Sequence, residues 1–180
     1  MTFNQILDLD NQLSSKLRLP PGKNWLWKIS AFMAHSGDSW FWMAGLGILW
    51  LINQEARRSA FLMAFDIGLL AVIVLGIKFL VRRQRPEGEW GAIYRNHDPH
   101  SFPSGHAARA AMLIVVAWAL CPVWLALIIT LWAPFVSISR VITGVHYLSD
   151  VIAGSLLGFV AGFILLQTHP LLATIFWFFV

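Results

Sequence analysis

The sequence predicts an all-α integral-membrane fold: a bundle of five to six transmembrane helices preceded by interfacial amphipathic helices. Three observations carry this. Hydrophobic residues make up 58% of the 180-residue chain and charged residues only 12%, against roughly half and a quarter in soluble domains. The mean hydropathy is +0.66. The apolar excess is gathered into long runs separated by short polar loops, so lipid is the solvent for much of the surface, and a chain in lipid satisfies its backbone as helix.

The elements follow in order. Residues 3–18, "FNQILDLDNQLSSKLR", put Phe3, Ile6, Leu7, Leu13 and Leu17 at helical spacing, and Pro20-Pro21-Gly22 ends the segment. A Trp-rich run with one Lys, "NWLWKISAFMAH", suits the headgroup zone. Residues 1–35 are therefore expected to lie along the membrane surface or to pack amphipathically on the bundle. Spans are expected from Gly37-Asp38 to Ile52, Ser59 to Val81, Ser104 to Leu120, Pro122 to Ser139 and Tyr147 to Gln167. The tail, residues 171–180, is too short for a crossing of roughly 20 residues; it either lies in the interface or forms part of a sixth span. Residues 1–180 read as one domain, with the bundle over 38–168. Asp8 and Asp10 stand where a cleavable signal would be basic, so none is expected. A single cysteine, Cys121, excludes an intrachain disulfide.

Net charge is +4, which suits anionic headgroups or an anionic substrate. The basic residues are dispersed between apolar runs and form no solvated stripe, so nucleic acid is not an expected partner. Alternation of the spans brings three polar clusters to one membrane depth: the end of the second span, the start of the third, and the junction of the fourth and fifth.

The first cluster is "KFLVRRQRP". Lys78 and Arg85 are two turns apart and share a face if the helix persists to Pro86, with Arg82 between them. Fixed cations there suit an anion, whereas Arg82 and Arg83 read as snorkelling residues. The second is "FPSGH". Ser104 can cap the following helix and Gly105 lets an anion approach its N-terminal amides, while His106 stands within proton-transfer reach. The third is "SRVITGVHYLSD". His146 and Asp150 are spaced i, i+4, so the carboxylate can fix the imidazole tautomer and leave the other nitrogen free to attack. Arg140 adds a planar fork that matches phosphate oxygens. Each cluster alone also has a structural reading: snorkelling cations, an ordinary cap, a buried His–Asp pair. Together they form an inventory for phosphoryl transfer through a phosphohistidine. Protein cations take the charge-stabilising role, and no Cys pair, His-x-x-x-His or carboxylate cluster marks a catalytic metal or other cofactor.

Lys78-x6-Arg85-Pro86, Pro103-Ser104-Gly105-His106 and Ser139-Arg140-x5-His146-x3-Asp150 resemble the three-part signature of the type 2 phosphatidic acid phosphatase (PAP2) superfamily, every position filled and in order. The resemblance implies a bacterial-type membrane lipid phosphatase in which His146 is the nucleophile and Asp150 its orienting partner. His106 would protonate the leaving oxygen and then activate water. Lys78, Arg85, Arg140, Ser104 and the Gly105 amide would hold the phosphate of a membrane lipid, polyprenyl pyrophosphate being favoured over phosphatidic acid or phosphatidylglycerol phosphate. A lipid phosphotransferase and a non-catalytic lipid-phosphate binder use the same residues and stay open; the family's soluble haloperoxidase branch conflicts with the hydropathy. Longer members have six spans, and the chain is expected to start at the amphipathic segment and omit the first one. No obligate protein partner is implied.

The remaining polar residues have quieter readings. Asp66, mid-span, is expected to make a structural hydrogen bond inside the bundle. His35 and Asp38 read as caps. His97, Asp98 and His100 lie in the loop between Pro86 and Pro103, within reach of a headgroup. Orientation is contested: Lys16, Arg18, Lys23, Lys28, Arg82, Arg83 and Arg95 on the site face against Arg57 and Arg58 opposite point to the cytoplasm. The family resemblance points to the cell exterior, and the shortness of the Arg57-Arg58 loop tips the reading that way, in a plasma or inner membrane.

Overall fold

The computed structural model describes residues 2–22, 24–87 and 98–178. The expectations placed on Lys23, Arg95 and His97 lie outside these residues. Seven helices and no strand occur among the described residues: α1 (Phe3–Leu17), α2 (Trp25–Ser36), α3 (Ser39–Ile52), α4 (Arg57–Val81), α5 (Gly105–Leu120), α6 (Val123–Ile142) and α7 (Leu148–Ile175). The chain is a membrane protein. Three helices, α4, α6 and α7, are long and apolar enough to cross a bilayer, and α3 and α5 are shorter apolar helices.

Local chemistry sets the boundaries. Thr2 and Gln5 form a reciprocal capping box at the start of α1. The Asn24 side chain accepts from the Leu26 amide at 2.9 Å to open α2. Ser104 does the same for α5, accepting from the Ala107 amide. At the end of α4, Arg82 takes a left-handed conformation (φ 53°), which a non-glycine residue adopts at a cost of roughly 1–2 kcal/mol. The helix therefore stops at Val81 and does not persist to Pro86, so Lys78 and Arg85 do not share a helix face. Arg85 reaches the same site from an extended segment.

The tail also differs from expectation. Among the described residues it forms no sixth span. Helix α7 runs on through Pro170 to Ile175, since the backbone group freed by a proline in a membrane helix is readily re-satisfied by its surroundings.

Helix α5 is the axis of the bundle. Ala107, Ala108, Ala110, Met112, Leu113, Val116 and Ala117 are fully buried, enclosed by α4, α6 and α7. On α7, Gly154, Gly158 and Gly162 face α5, and an added Cβ at Gly158 would overlap the Ala108 backbone. Small residues on both sides let the two backbones meet, the common solution where no water drives helices together. Outward-facing positions are apolar, including Val72, Leu75, Leu80, Leu131, Leu156 and Ile164. Mid-bundle, Asp66 has the expected structural bond: His169 Nε2 lies 2.9 Å from its Oδ2, and both residues are buried.

Candidate active site

The packing of α5 against α7 puts their N-termini side by side at one end of the bundle. The Ser104 amide donates to the Asp150 carbonyl at 3.0 Å. Around this junction lies a cavity of about 190 Å³ whose polar end is formed by Lys78, Arg85, Asp98, Gly105, His106, Arg109, Arg140 and His146. Its other wall is apolar, made by Ile67, Leu70, Ala71, Val74 and Leu75 of α4. Six of the eight expected site residues therefore line one cavity. Ser104 and Asp150 stand behind it, both fully buried. Ser104 acts on the helix amides, and Asp150 acts on His146.

His146 is 2% exposed and follows a tight turn after α6. Gly144 makes that turn with φ 75°, where a side chain would also strike Arg18. His146 Nδ1 lies 3.5 Å from Asp150 Oδ2, and its Nε2 lies 3.1 Å from Arg85 Nη1. A guanidinium has no acceptor, so Nε2 presents its lone pair and Nδ1 carries the hydrogen toward Asp150. Burial, reinforced by Arg85 and Arg140 against the pull of Asp150, lowers the imidazole pKa to about 3. In the resting site the ring is neutral at physiological pH and its Nε2 lone pair accepts from Arg85.

Arg85 is 4% exposed and fully used. It donates to the Asp98 carbonyl at 2.7 Å, the Val145 carbonyl at 2.9 Å and Asp98 Oδ2 at 2.7 Å. Lys78 also binds Asp98 Oδ2. One carboxylate oxygen thus sits between the two cations expected to hold a phosphate. Burial opposes its charge, yet Lys78 and Arg85 draw the Asp98 carboxyl below the usual carboxylate range. Arg140 is fully buried at the end of α6.

His106 has a partner that the sequence reading assigned to capping. Asp38 makes no side-chain cap for α3. Its Oδ1 lies 2.7 Å from His106 Nε2 and its Oδ2 lies 3.1 Å from His35 Nδ1. Burial raises the Asp38 pKa, but the two histidines outweigh that and hold it well below the ordinary value. Arg109, one turn beyond His106, fixes the turn that presents Asp38. It donates through Nε to the Gly37 carbonyl at 3.0 Å, again through Nη2, and through Nη1 to Ser39. Arg109 carried a signal that the sequence reading passed over, a charge inside an apolar span. Arg83 was read as snorkelling, but it pairs with Asp150 at 2.7 Å and Asp10 at 2.6 Å. Arg82 is exposed, in keeping with that reading.

A sequence profile of the PAP2 superfamily matches residues 60–173, which include all three motifs. The chain belongs to the PAP2 superfamily. Among its relatives, an undecaprenyl-diphosphatase of Sulfolobus acidocaldarius is 31% identical over 144 residues, covering 77% of this chain and 68% of that protein. A decaprenylphosphoryl-5-phosphoribose phosphatase of Mycobacterium tuberculosis is 37% identical over 137 residues, 72% of this chain and 73% of the relative. The transmembrane PAP2-type phosphatidylglycerolphosphate phosphatase from Bacillus subtilis superposes with a TM-score of 0.75 at 26% identity, covering 93% and 87% of the two chains. LpxE from Aquifex aeolicus superposes with a TM-score of 0.66 at 25% identity, covering 89% and 94%. This PAP2 protein is a membrane-bound phosphate hydrolase.

Proposed function

We propose that this PAP2 protein hydrolyses a lipid phosphate or pyrophosphate, with a polyprenyl pyrophosphate as the favoured substrate, through a phosphohistidine and without a metal. The observation that carries the reading is the two-ended cavity: cations and two histidines at one end, an uninterrupted apolar wall of α4 along the other. A phosphate on a hydrocarbon chain matches both ends at once. The polyprenyl preference rests on the two relatives named for polyprenyl-linked substrates.

In the proposed reaction, the incoming phosphate displaces Asp98 from Lys78 and Arg85, and Arg140 and the Gly105 amide complete its cradle. The Nε2 lone pair of His146 forms a bond to phosphorus as the bond to the leaving oxygen breaks. Asp150 stabilises the positive charge that develops on the ring and keeps its own charge. His106, held by Asp38, gives its proton to the leaving oxygen. It then removes a proton from water, whose oxygen attacks phosphorus while the phosphorus–nitrogen bond breaks, releasing phosphate and restoring His146. The fixed cations stabilise the spread charge of the transferring group in both steps.

The test is phosphate release by the purified full chain in detergent with EDTA, from undecaprenyl pyrophosphate, phosphatidic acid and soluble phosphate esters in parallel. Release from a lipid that survives chelation is the expected result. Turnover of soluble esters alone would remove the lipid assignment, and transfer to a second lipid without free phosphate would make the enzyme a phosphotransferase. In the same assay Asp98→Asn lowers KM several-fold, because an amide competes less well than a carboxylate for Lys78 and Arg85. A higher KM would show that Asp98 instead holds the cations in place.

The site is proposed to face the cell exterior at the plasma membrane, where carrier lipids present spent pyrophosphates. With Cys121→Ser as background, a cysteine at His100 is expected to react with a membrane-impermeant maleimide added to intact cells. Labelling only after lysis reverses the orientation.

A further inference from the structure

Helix α1 carries two polar residues where its own pattern calls for apolar ones. Asp10 and Ser14 follow Ile6 at i+4 and i+8, on the face shared with Leu13 and Leu17. Both are buried, at 9% and 1% exposure, while Ile6, Leu13 and Leu17 around them stay 40–50% exposed. Burying a carboxylate and a hydroxyl is unfavourable unless each is paired, and their pairing is specific. Ser14 Oγ accepts from the Leu148 amide at 2.8 Å, and Asp10 Oδ1 accepts from the Ser149 amide at 3.0 Å. These are the first two amides of α7, a helix that lacks a side-chain cap from its own N-cap hydroxyl or amide: position Tyr147 supplies none by its ring oxygen. A helix whose capping residues lie 134 and 139 residues away in sequence caps the one that carries Asp150.

The same carboxylate holds Arg83. Arg83 Nη2 donates to Asp10 Oδ2 at 2.6 Å, and Nη1 donates to Asp150 Oδ1 at 2.7 Å and to Ser149 Oγ at 2.6 Å. The guanidinium is also fixed from above, 4.1 Å over the Tyr147 ring. Asp150 Oδ2, the oxygen facing His146, accepts from the Tyr147 amide at 2.9 Å. With Oδ1 on Arg83 and Oδ2 on the Tyr147 amide, the plane of the carboxylate is determined, and with it the direction offered to His146 Nδ1.

We propose that Asp10 and Arg83 are positioning residues that act on His146 through Asp150, so that α1 is a working part of the catalytic site although it touches neither cavity nor substrate. The proposal rests on the phosphohistidine reading for its kinetic consequence, but its structural content concerns only the orientation and tautomer of His146. Arg83 spreads one guanidinium across two carboxylates in a planar, bidentate-capable geometry that lysine does not reproduce.

The test uses the purified full chain with undecaprenyl pyrophosphate and phosphatidic acid as parallel substrates and two readouts. Arg83→Gln and Asp10→Ala are expected to lower kcat about 10- to 100-fold with KM within a factor of two, since neither residue contacts phosphate. Arg83→Lys recovers only part of the loss. In an Asp150→Asn background, adding Arg83→Gln lowers kcat no further, because the effect passes through Asp150; additive losses would overturn the proposal by marking the cluster as a general support of the fold. The second readout needs no turnover: ¹⁵N shifts of the His146 ring hold one neutral tautomer, hydrogen on Nδ1, in the wild type and lose that preference in Arg83→Gln. An unchanged tautomer in both variants would overturn the positioning role even if phosphate release fails throughout, whereas absent release with a shifting tautomer would sink the phosphatase reading and keep this one.

Discussion

His146→Ala eliminates phosphate release while the bundle stays folded. The loss is expected to be on the order of 10⁴-fold or more, the scale seen when a nucleophile is removed from a catalytic unit. Nothing else in the cavity is placed to replace it: Lys78, Arg85, Arg109 and Arg140 are cations with no lone pair to give, the Asp98 carboxylate is held by Lys78 and Arg85, and His106 Nε2 is engaged by Asp38. The variant's α-helical circular dichroism and thermal transition should match the wild type, because the ring lies at a turn end and outside the α5–α7 seam. Incubation with a ³²P-labelled lipid followed by an alkaline quench should trap acid-labile, base-stable phosphate on the wild type only. Because the resting imidazole is held neutral down to about pH 3 by burial and the two arginines, the acid limb of kcat/KM between pH 4 and 7 belongs to another group. An acid limb that tracked His146 protonation near pH 6.5 would contradict the buried, cation-flanked environment described above. A residual rate within tenfold of wild type would exclude His146 as nucleophile.

Gly158→Ala has the second large effect, and it acts on the fold first. A Cβ at this position runs into the Ala108 carbonyl, and the same is true one turn earlier, where Gly154 meets Ser104. The added carbon has only backbone to push against, so α5 and α7 must separate. Overpacking of this kind costs about 1–3 kcal/mol, and more where the obstacle cannot move. Separation of these helices also parts the Ser104–Asp150 contact, so activity falls together with melting temperature. Gly45→Ala is the control: no atom lies within 4 Å of its Cβ position, and alanine is the better helix former. Equal melting temperatures for the two variants would show that the seam is looser than described.

Much of the architecture was legible because the signals are local. Span ends coincide with polar residues and caps, and four of the five expected spans match a helix within a few residues at both ends, the fifth at its start. The main departures have local causes as well: Arg82 turns the chain left-handed before Pro86, and α7 tolerates Pro170. The three motifs converge because alternating spans share a depth, a consequence of the bilayer that needs no knowledge of side-chain packing.

Pairing was not legible in the same way. Asp38 and His106 are 68 residues apart, and Asp10 and Arg83 are 73 apart. Hydropathy gives the depth of each residue but says nothing of the rotation of a helix about its axis or of which helix stands beside it. Asp38 read as a cap because a carboxylate before a helix usually is one; here the turn stapled by Arg109 aims it at His106 instead. Arg83 read as snorkelling because arginine at a span end usually does; the docking of α1 brings Asp10 to it beside Asp150 of α7. Sequence alone determined the membrane class, the helices and the residues able to carry phosphoryl chemistry, since these follow from composition, periodicity and motif. Only the tertiary structure decided that Asp38 serves His106 and that Asp10 and Arg83 stand behind Asp150, because those pairings depend on lateral contacts between elements far apart in the chain.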